Sequence, residues 1–572
     1  MKKVLAFVLP LLLALPGRAQ DRIYIATDRS AYVAGDLVYC SLFCVDDQGL
    51  RSGFSAVSYL ELISAEGTAA EAKIGLFDGR GAGCFRIPAQ VPTGNYRLVA
   101  YTARSQAVPE GSRILAVYNT SSTARVPDGV RIVPEKDYQA PALPADLQAG
   151  IGLSFPARVA QKREVPLILT TDLQGADVSV SVFHEDALAT GDGNSLSAFL
   201  GGRPAAPGNR SGEYEGEIIQ ARVEGLEMEQ KKDDEITAFL SSAGDPSNVY
   251  IGRSNADGHI LFFTDNIYGD RELVCEVVSM QGRSCHISLA SPFTHPDAGE
   301  LPVLDLSPAQ RSALVARKAS LREQAPLDTL VQFLPKREGQ LFSGSPRIRY
   351  HLDDYNRFPT IREICIEFAH ELQFVRRDGR WRIRMMVSDG TSSRRYVLDN
   401  ILVLMDGVVI TDHGMLEDFD AMLLEDIDIY RQPVAMGGVS YNGVVNFISK
   451  RNYVTALRFP ENVRVVDFRG VSYPVAYPGE PPQDSSSGNP GEPSQNASSG
   501  NPSSADRHDP PQHPSADRRQ LLYWHPALEI PAQSQARIPL HMPAYPGTFR
   551  VVVEGWAADG SPLRAEYSFS VE

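Results

Sequence analysis

The residues in this chain that could do chemistry do not assemble into a known catalytic pattern. His370-Glu371 stands at a helix end without a partner His, and reads as ordinary surface. Asp353-Asp354-Tyr355 could hold a cation, but a polar turn entering a helix explains it as well. Asp406-Gly407 invites an active-site reading; a turn explains it better, because Gly permits positive φ and Asp bonds to the local backbone. Lys231-Lys232-Asp233-Asp234-Glu235 is a mixed charge run suited to a solvated face, and His508 and His513 lie in a stretch too polar to fix a metal. The sequence has no phosphate-cradling Walker loop, GxSxG elbow, HExxH helix or EF-hand loop. No residue is assigned as catalytic, cofactor-binding or metal-binding, and the expectation is a protein that binds or scaffolds and is not an enzyme.

The 6 cysteines leave alternatives open. Cys40 and Cys44 fall on one strand, about 13 Å apart at the usual rise, and cannot bridge each other. Either could pair with Cys84, and Cys275 and Cys285 flank a turn at Gln281-Gly282 that would let them bridge. With Cys365, all could equally be buried free thiols. None has zinc-site spacing.

Lys2 and Lys3, the apolar run Val4 to Pro16, and Gly17-Arg18-Ala19 before Gln20 have the layout of a secretory signal peptide, too short to span a bilayer. No later stretch suits a transmembrane helix. Losing Lys2, Lys3 and Arg18 with the leader takes the formal charge from −15 to −18. That argues against nucleic acid as a partner, since a basic stripe is its footprint.

Strand-like runs dominate: Leu37 to Val45, Val165 to Leu169, Val178 to Phe183, Glu217 to Val223 and His259 to Phe263, punctuated by Asp78-Gly79, Thr93-Gly94-Asn95 and Asp257-Gly258. Ser307-Pro308-Ala309-Gln310 offers a helix cap with Pro at the first position and a capping box. Thr360 and Glu363 form a second, ahead of Ile361, Ile364, Cys365, Phe368 and Leu372 at helical spacing. Residues 478–518 are rich in Pro, Gly, Ser and Asn, with Ser-Gly-Asn-Pro and Ser-Ala-Asp-Arg each occurring twice, and bury too little to fold.

Two resemblances go further. Ile23 to Asp36, Val57 to Leu62 and Gly94 to Thr102 resemble the strands of a macroglobulin-type (MG2-like) domain of exported Bacteroidota proteins. Ile401 to Ile410 with its Asp-Gly, Leu424 to Tyr430, and Gly437-Gly438 followed by Tyr441 to Lys450 resemble the plug domain of TonB-dependent receptors. No barrel-like run of strands follows, and no TonB-box peptide is evident. The cysteines also lack the Cys-Gly-Glu-Gln context of a thioester trap, so neither transport nor covalent protease trapping carries over. The plug resemblance implies exposed loop tips, which makes Asp406, Gly407, Gly437, Gly438, Tyr441, Asn442 and Gly443 the candidate interaction residues.

The fold expected is multi-domain and mainly β: tandem Ig/macroglobulin-like sandwiches, one small α/β plug-like domain and a C-terminal β-module. The divisions are a leader (1–19), a macroglobulin-like sandwich (20–120), a second sandwich (121–205) and an Ig-like or carboxypeptidase regulatory-like domain (214–293). A helical connector (300–350), the plug-like domain (351–455), a strand segment (456–477), the linker (478–518) and the terminal module (519–572) complete the chain. The terminal module, small to stand alone, is expected to recruit the strand Val463 to Phe468. The function expected is a non-catalytic cell-envelope scaffold with a protein partner at the periplasmic side or outer membrane. Alternatives are an accessory subunit of a TonB-linked system beside an outer-membrane barrel, and an enzyme with a site between domains.

Overall fold

The computed structural model describes residues 20–121, 127–139, 146–171, 175–188, 196–202, 205–208, 210–225, 236–255, 257–278, 285–321, 346–388, 394–397, 399–436, 438–451, 454, 457–478 and 519–572. The chain is mainly β, arranged as sandwiches with one small α/β module.

The first sandwich is an 8-stranded sheet folded over a single core. Its strand order is Arg22–Thr27, Leu37–Val45, Arg80–Arg86, Gly67–Phe77, Val57–Ser64, Gly94–Tyr101, Arg113–Tyr118 and Ala31–Val33. Ile25, Leu42, Leu60, Leu62, Leu98 and Val117 meet inside it. Asp78 and Gly79, both at positive φ, close the expected turn between Gly67–Phe77 and Arg80–Arg86.

The second sandwich is built from two distant stretches. Ala176–His184 is flanked by Leu521–Ile530 on one side and Gly547–Ala557 on the other. Glu164–Thr170 pairs with Gln535–His541 in the facing sheet. Val178, Val180, Val551, Val553, Ile538 and Leu167 share one core. The terminal strands, joined by a hairpin at Asp559-Gly560, therefore complete a sandwich begun near residue 147. They do not recruit Val463 to Phe468. That strand, Val463–Arg469, pairs antiparallel with Asp270–Val278 at the edge of the third sandwich. Its alternating pattern suits any open sheet edge, and the edge it finds belongs to the neighbouring domain.

The third sandwich sets Ile218–Glu224, His259–Phe263 and His286–Leu289 against Thr237–Ser242, Asp245–Arg253, Asp270–Val278 and Val463–Arg469. The connector carries the predicted capping box at Ser307 and Gln310. Its helix Arg311–Leu321 sends Arg317 to Asp186 of the second sandwich at 2.7 Å.

The α/β module places Ile348–His351, Leu424–Tyr430, Gly443–Ser449, Ile401–Met405 and Val408–Val409 in one sheet. Thr360 caps the helix Ile361–Glu367, accepting from the Glu363 backbone N–H at 3.2 Å. The helix ends before Phe368, so Phe368 and Leu372 do not continue its apolar face; Leu372 opens the strand Leu372–Arg377. All 6 cysteines are free and buried. Cys275 and Cys285 pack in one core without bridging.

Candidate functional site

The residues expected at an exposed tip of the α/β module mostly face inward. Asp406 is 3% exposed at φ 49°. Its carboxylate accepts from the Ser449 N–H and hydroxyl, both at 2.6 Å, and from the Val454 N–H at 3.1 Å. The Gly407 N–H donates to Asn446 Oδ1 at 3.1 Å. The Asp406 carbonyl accepts from the Gly244 N–H of the third sandwich at 2.6 Å. Tyr441 is buried beside Phe239 and Val249 of that sandwich. Asn442 bonds to the carbonyls of Asn400 and Asp399 at 2.6 and 3.0 Å. At Gly443 any Cβ would run into Met385 and the Tyr430 carbonyl. Only Gly438 is exposed, at φ 75°, and Gly437 lies outside the described residues. Asp406, through its carbonyl, and Tyr441 make an interface, but within the chain: they dock the module onto the third sandwich, while the other contacts stay inside the module.

The other sequence candidates have structural roles. Asp353 pairs with Arg357. Glu371 accepts from the Tyr350 hydroxyl at 2.5 Å, and the His370 carbonyl from the Tyr396 hydroxyl at 2.5 Å. Residues 231–235, His508 and His513 lie outside the described residues.

Buried charge joins the domains. Between the first and third sandwiches, Lys73 Nζ sits 2.7 and 2.9 Å from the two carboxylate oxygens of Glu217, each side chain 2% exposed. The ammonium lies over the Phe468 ring, 4.1 Å from its centroid. Burial pushes the Lys73 pKa down, opposed by Glu217. Beside this pair, the Tyr59 hydroxyl and Arg210 both donate to Glu213 at 2.8 Å. Burial pushes the Glu213 carboxyl up to about 7 against the pull of Arg210. Between the first and second sandwiches, Arg113 reaches Glu554 at 2.5 Å and the Tyr24 hydroxyl at 2.8 Å. Between the third sandwich and the module, Thr411 donates to Glu276, whose carboxyl burial pushes up to about 7.

Two open surfaces among the described residues bear on function. One is a cleft of about 690 Å³ between the first and third sandwiches, lined by Glu71, Lys73, Arg271, Phe293, Phe468 and Arg469 among others. No histidine or cysteine is among its described lining residues. At its mouth, His295 from the segment after the third sandwich meets Glu61 and Glu71 of the first. The sequence reading missed this group. Its signal was a lone glutamate, Glu61, inside the apolar strand Val57–Ser64.

The other surface is the outward sheet of the α/β module. Strands Leu372–Arg377, Arg380–Ser388 and Arg394–Val397 turn Leu372, Ile383 and Met385 into the core. Alternation therefore sends Arg380, Arg382 and Arg384 outward on one strand, with Arg377 opposite Arg380. On the other face, Arg376 and Arg362 flank Trp381, at 4.7 and 5.0 Å from the ring centroid. Among the described residues, Arg376, Arg380, Arg382 and Arg384 form no ion pair; Arg382 and Arg384 bond instead to the Thr411 carbonyl and the Gln373 amide oxygen. This basic face belongs to a chain of formal charge −15.

No protein-family model and no curated protein matches the chain. Among solved structures it is similar to trypsin-activated alpha-2-macroglobulin from Escherichia coli, with 9% identity, 96% of this chain and 41% of that chain covered, and a TM-score of 0.23. It is similar also to the Escherichia coli protein activated by porcine elastase, with 12% identity, 96% and 44% covered, and a TM-score of 0.24. For Salmonella alpha-2-macroglobulin reacted with methylamine the values are 9% identity, 96% and 39% covered, and 0.23. The chain spans less than half the length of these macroglobulins, and the overlay is too loose to add to the fold, which rests on the sheets described above.

Proposed function

We propose that the protein is a non-catalytic binding scaffold of the bacterial cell envelope, a fixed frame of sandwiches that presents the arginine-bearing sheet of the α/β module to an acidic protein partner. The observation that carries this reading is the set of buried ion pairs at the domain junctions, Lys73 with Glu217 and Arg113 with Glu554. Neither member can be buried alone without leaving an uncompensated charge, at about 3–5 kcal/mol, so each pair ties its two domains to one register. Inter-domain contacts within a chain are ordinarily looser. The arginine face supplies the partner chemistry. Guanidinium groups match carboxylates bidentately; Arg380 is exposed for that match, with Arg377 opposite it, whose ion pairs to Asp378 and Asp399 lie at the surface. Envelope localisation rests on the leader-like N-terminus; among the described residues no helix is long and apolar enough to cross a membrane.

The accessory-subunit reading needs the turn end of the module to reach a separate barrel. To do so it would have to give up the contacts that Asp406, Val409 and Tyr441 make with the third sandwich. The enzyme reading needs a reactive group in the cleft. There Lys73 is neutralised by Glu217 and Glu71 by Arg469 at 2.8 Å.

The test is site-specific photo-crosslinking in intact cells, followed by detergent extraction and mass spectrometry. A photoreactive residue at position 377 or 380 is expected to capture an envelope protein through an acidic segment. The same residue at position 263, on the third sandwich, is expected to capture nothing in common. The absence of a specific adduct from the arginine face would sink the proposal.

A further inference from the structure

Glu61 and Glu71 stand directly opposite each other on adjacent antiparallel strands of the first sandwich. Like charges in that relation destabilise a sheet. Here the conflict is sharpened, because the Glu61 side chain is fully buried and that of Glu71 is 24% exposed. Arg469 takes one oxygen of Glu71, and the chain brings a ligand toward the two oxygens that remain from far along the sequence. The segment after the third sandwich lays the Thr294 and His295 backbone N–H groups on Glu61 Oε1 at 3.2 and 3.0 Å, beside the Tyr101 hydroxyl at 2.5 Å. This fixes one carboxylate oxygen and aims the other, Oε2, at the His295 ring, whose Nδ1 is 3.0 Å away. Arg469 engages Glu71 Oε2 at 2.8 Å, leaving Oε1 facing the same nitrogen at 3.7 Å. The Thr68 hydroxyl lies 3.0 Å from Glu61 Oε2 and 3.1 Å from His295 Nδ1.

One donor atom from each of Glu61, Glu71 and His295 thus lies within 4.8 Å of the others. Zinc bonds nitrogen and carboxylate oxygen at about 2.0–2.2 Å in tetrahedral geometry, which sets neighbouring ligand atoms roughly 3.3–3.6 Å apart. The nitrogen-to-oxygen separations of 3.0 and 3.7 Å bracket that value. A single imidazole N–H, in contrast, serves only one of the two facing oxygens, Glu61 Oε2 or Glu71 Oε1.

We propose that Glu61, Glu71 and His295 form a binding site for a divalent transition-metal ion of the zinc class, at the mouth of the cleft between the first and third sandwiches. Glu61 Oε2, Glu71 Oε1 and His295 Nδ1 supply three ligands, and water fills the fourth position. For this the imidazole must be neutral with its proton on Nε2, so the Nδ1 contact to Glu61 becomes a shared bond to the ion. Glu61 and Glu71 bring two negative charges to the dication, with Arg469 on the far oxygen of Glu71. The ion clips the segment after the third sandwich to the first sandwich and so reinforces the junction. The inference stands apart from the partner proposed above, since it needs no second protein.

The test is zinc binding to the full mature chain by calorimetry, with metal content measured after dialysis. One zinc per chain is expected at the site. His295→Ala and Glu71→Gln are each expected to weaken it by at least the roughly 10–100-fold that loss of even an outer-shell partner causes. Both side chains are partly exposed, so both variants should fold; matched unfolding curves without metal verify that. Zinc should also slow hydrogen exchange at the Thr294 and His295 amides in the native chain and leave it unchanged in His295→Ala. Failure of the native chain to bind zinc at micromolar concentration, or native affinity retained in both variants, overturns the proposal.

Discussion

Replacing Lys73 by Met keeps the length of the side chain and removes its charge. Glu217 is then left buried without its ammonium, since the two side chains are each 2% exposed and contact one another at 2.7 Å. The loss is about 3–5 kcal/mol for breaking a buried pair, with the cation–π contact to Phe468 included in it. At about 1.4 kcal/mol per factor of ten, the junction should open roughly two to three and a half orders of magnitude more often. Two backbone bonds that cross the junction report this directly: the Ser472 N–H to the Lys73 carbonyl at 2.8 Å, and the Ala56 N–H to the Glu213 carbonyl at 2.7 Å. Native-state hydrogen exchange at Ser472 and Ala56 measures the opening free energy, and both amides should lose protection together. The double variant Lys73→Met/Glu217→Met should recover most of it, because apolar replacement of both members of a buried pair is close to neutral. Unchanged protection in the single variant, or a double variant as open as the single one, would refute the reasoning.

Other consequences are local to their junctions. The Glu276 carboxyl, pushed up to about 7 by burial, holds its proton in the folded state. Its contribution is therefore complete below its unfolded value, near 4.5, and is lost as pH rises through 7, a change of about 3 kcal/mol. Corrected exchange at the Gly244 amide should quicken from pH 5 to pH 8, and Glu276→Gln should flatten that profile. Asp406→Ala leaves two backbone N–H groups and a hydroxyl without their acceptor, at about 1–3 kcal/mol each. Thermal unfolding should show the α/β module melting early, while Asp353→Ala leaves it unchanged. Arg380→Glu with Arg382→Glu should abolish partner capture from the arginine face. Capture by the native chain should weaken with added salt, since the screening length is only about 8 Å at physiological ionic strength.

What the sequence made legible was local. The capping box at Ser307 and Gln310 and the cap at Thr360 are written within four residues and are present. The Asp559-Gly560 hairpin and the strands around it follow from turn chemistry and alternation. Pairing across long separations was not legible. The partners of Ala176–His184 lie beyond residue 520, and nothing in an apolar strand names the strand beside it. The same gap misplaced Val463–Arg469, whose pattern fits any open edge. Asp406 was correctly placed in a turn, but its burial depends on Ser449, Val454 and the third sandwich, all outside the motif. Charged residues inside apolar strands were visible and went unread. Glu61 and Lys73 each interrupt such a run, and a buried charge implies a partner.

The central claim is that buried charge fixes the sandwiches and the α/β module as one frame. Pairs of spin labels at exposed positions test it most directly: 66 on the first sandwich, 533 on the second and 378 on the module. Pulsed electron–electron resonance on the full chain should give a single narrow distance distribution for each pair, broadened between 66 and 378 by Lys73→Met. Broad or multiple distributions in the native chain would mean that the domains move independently, and would contradict the account.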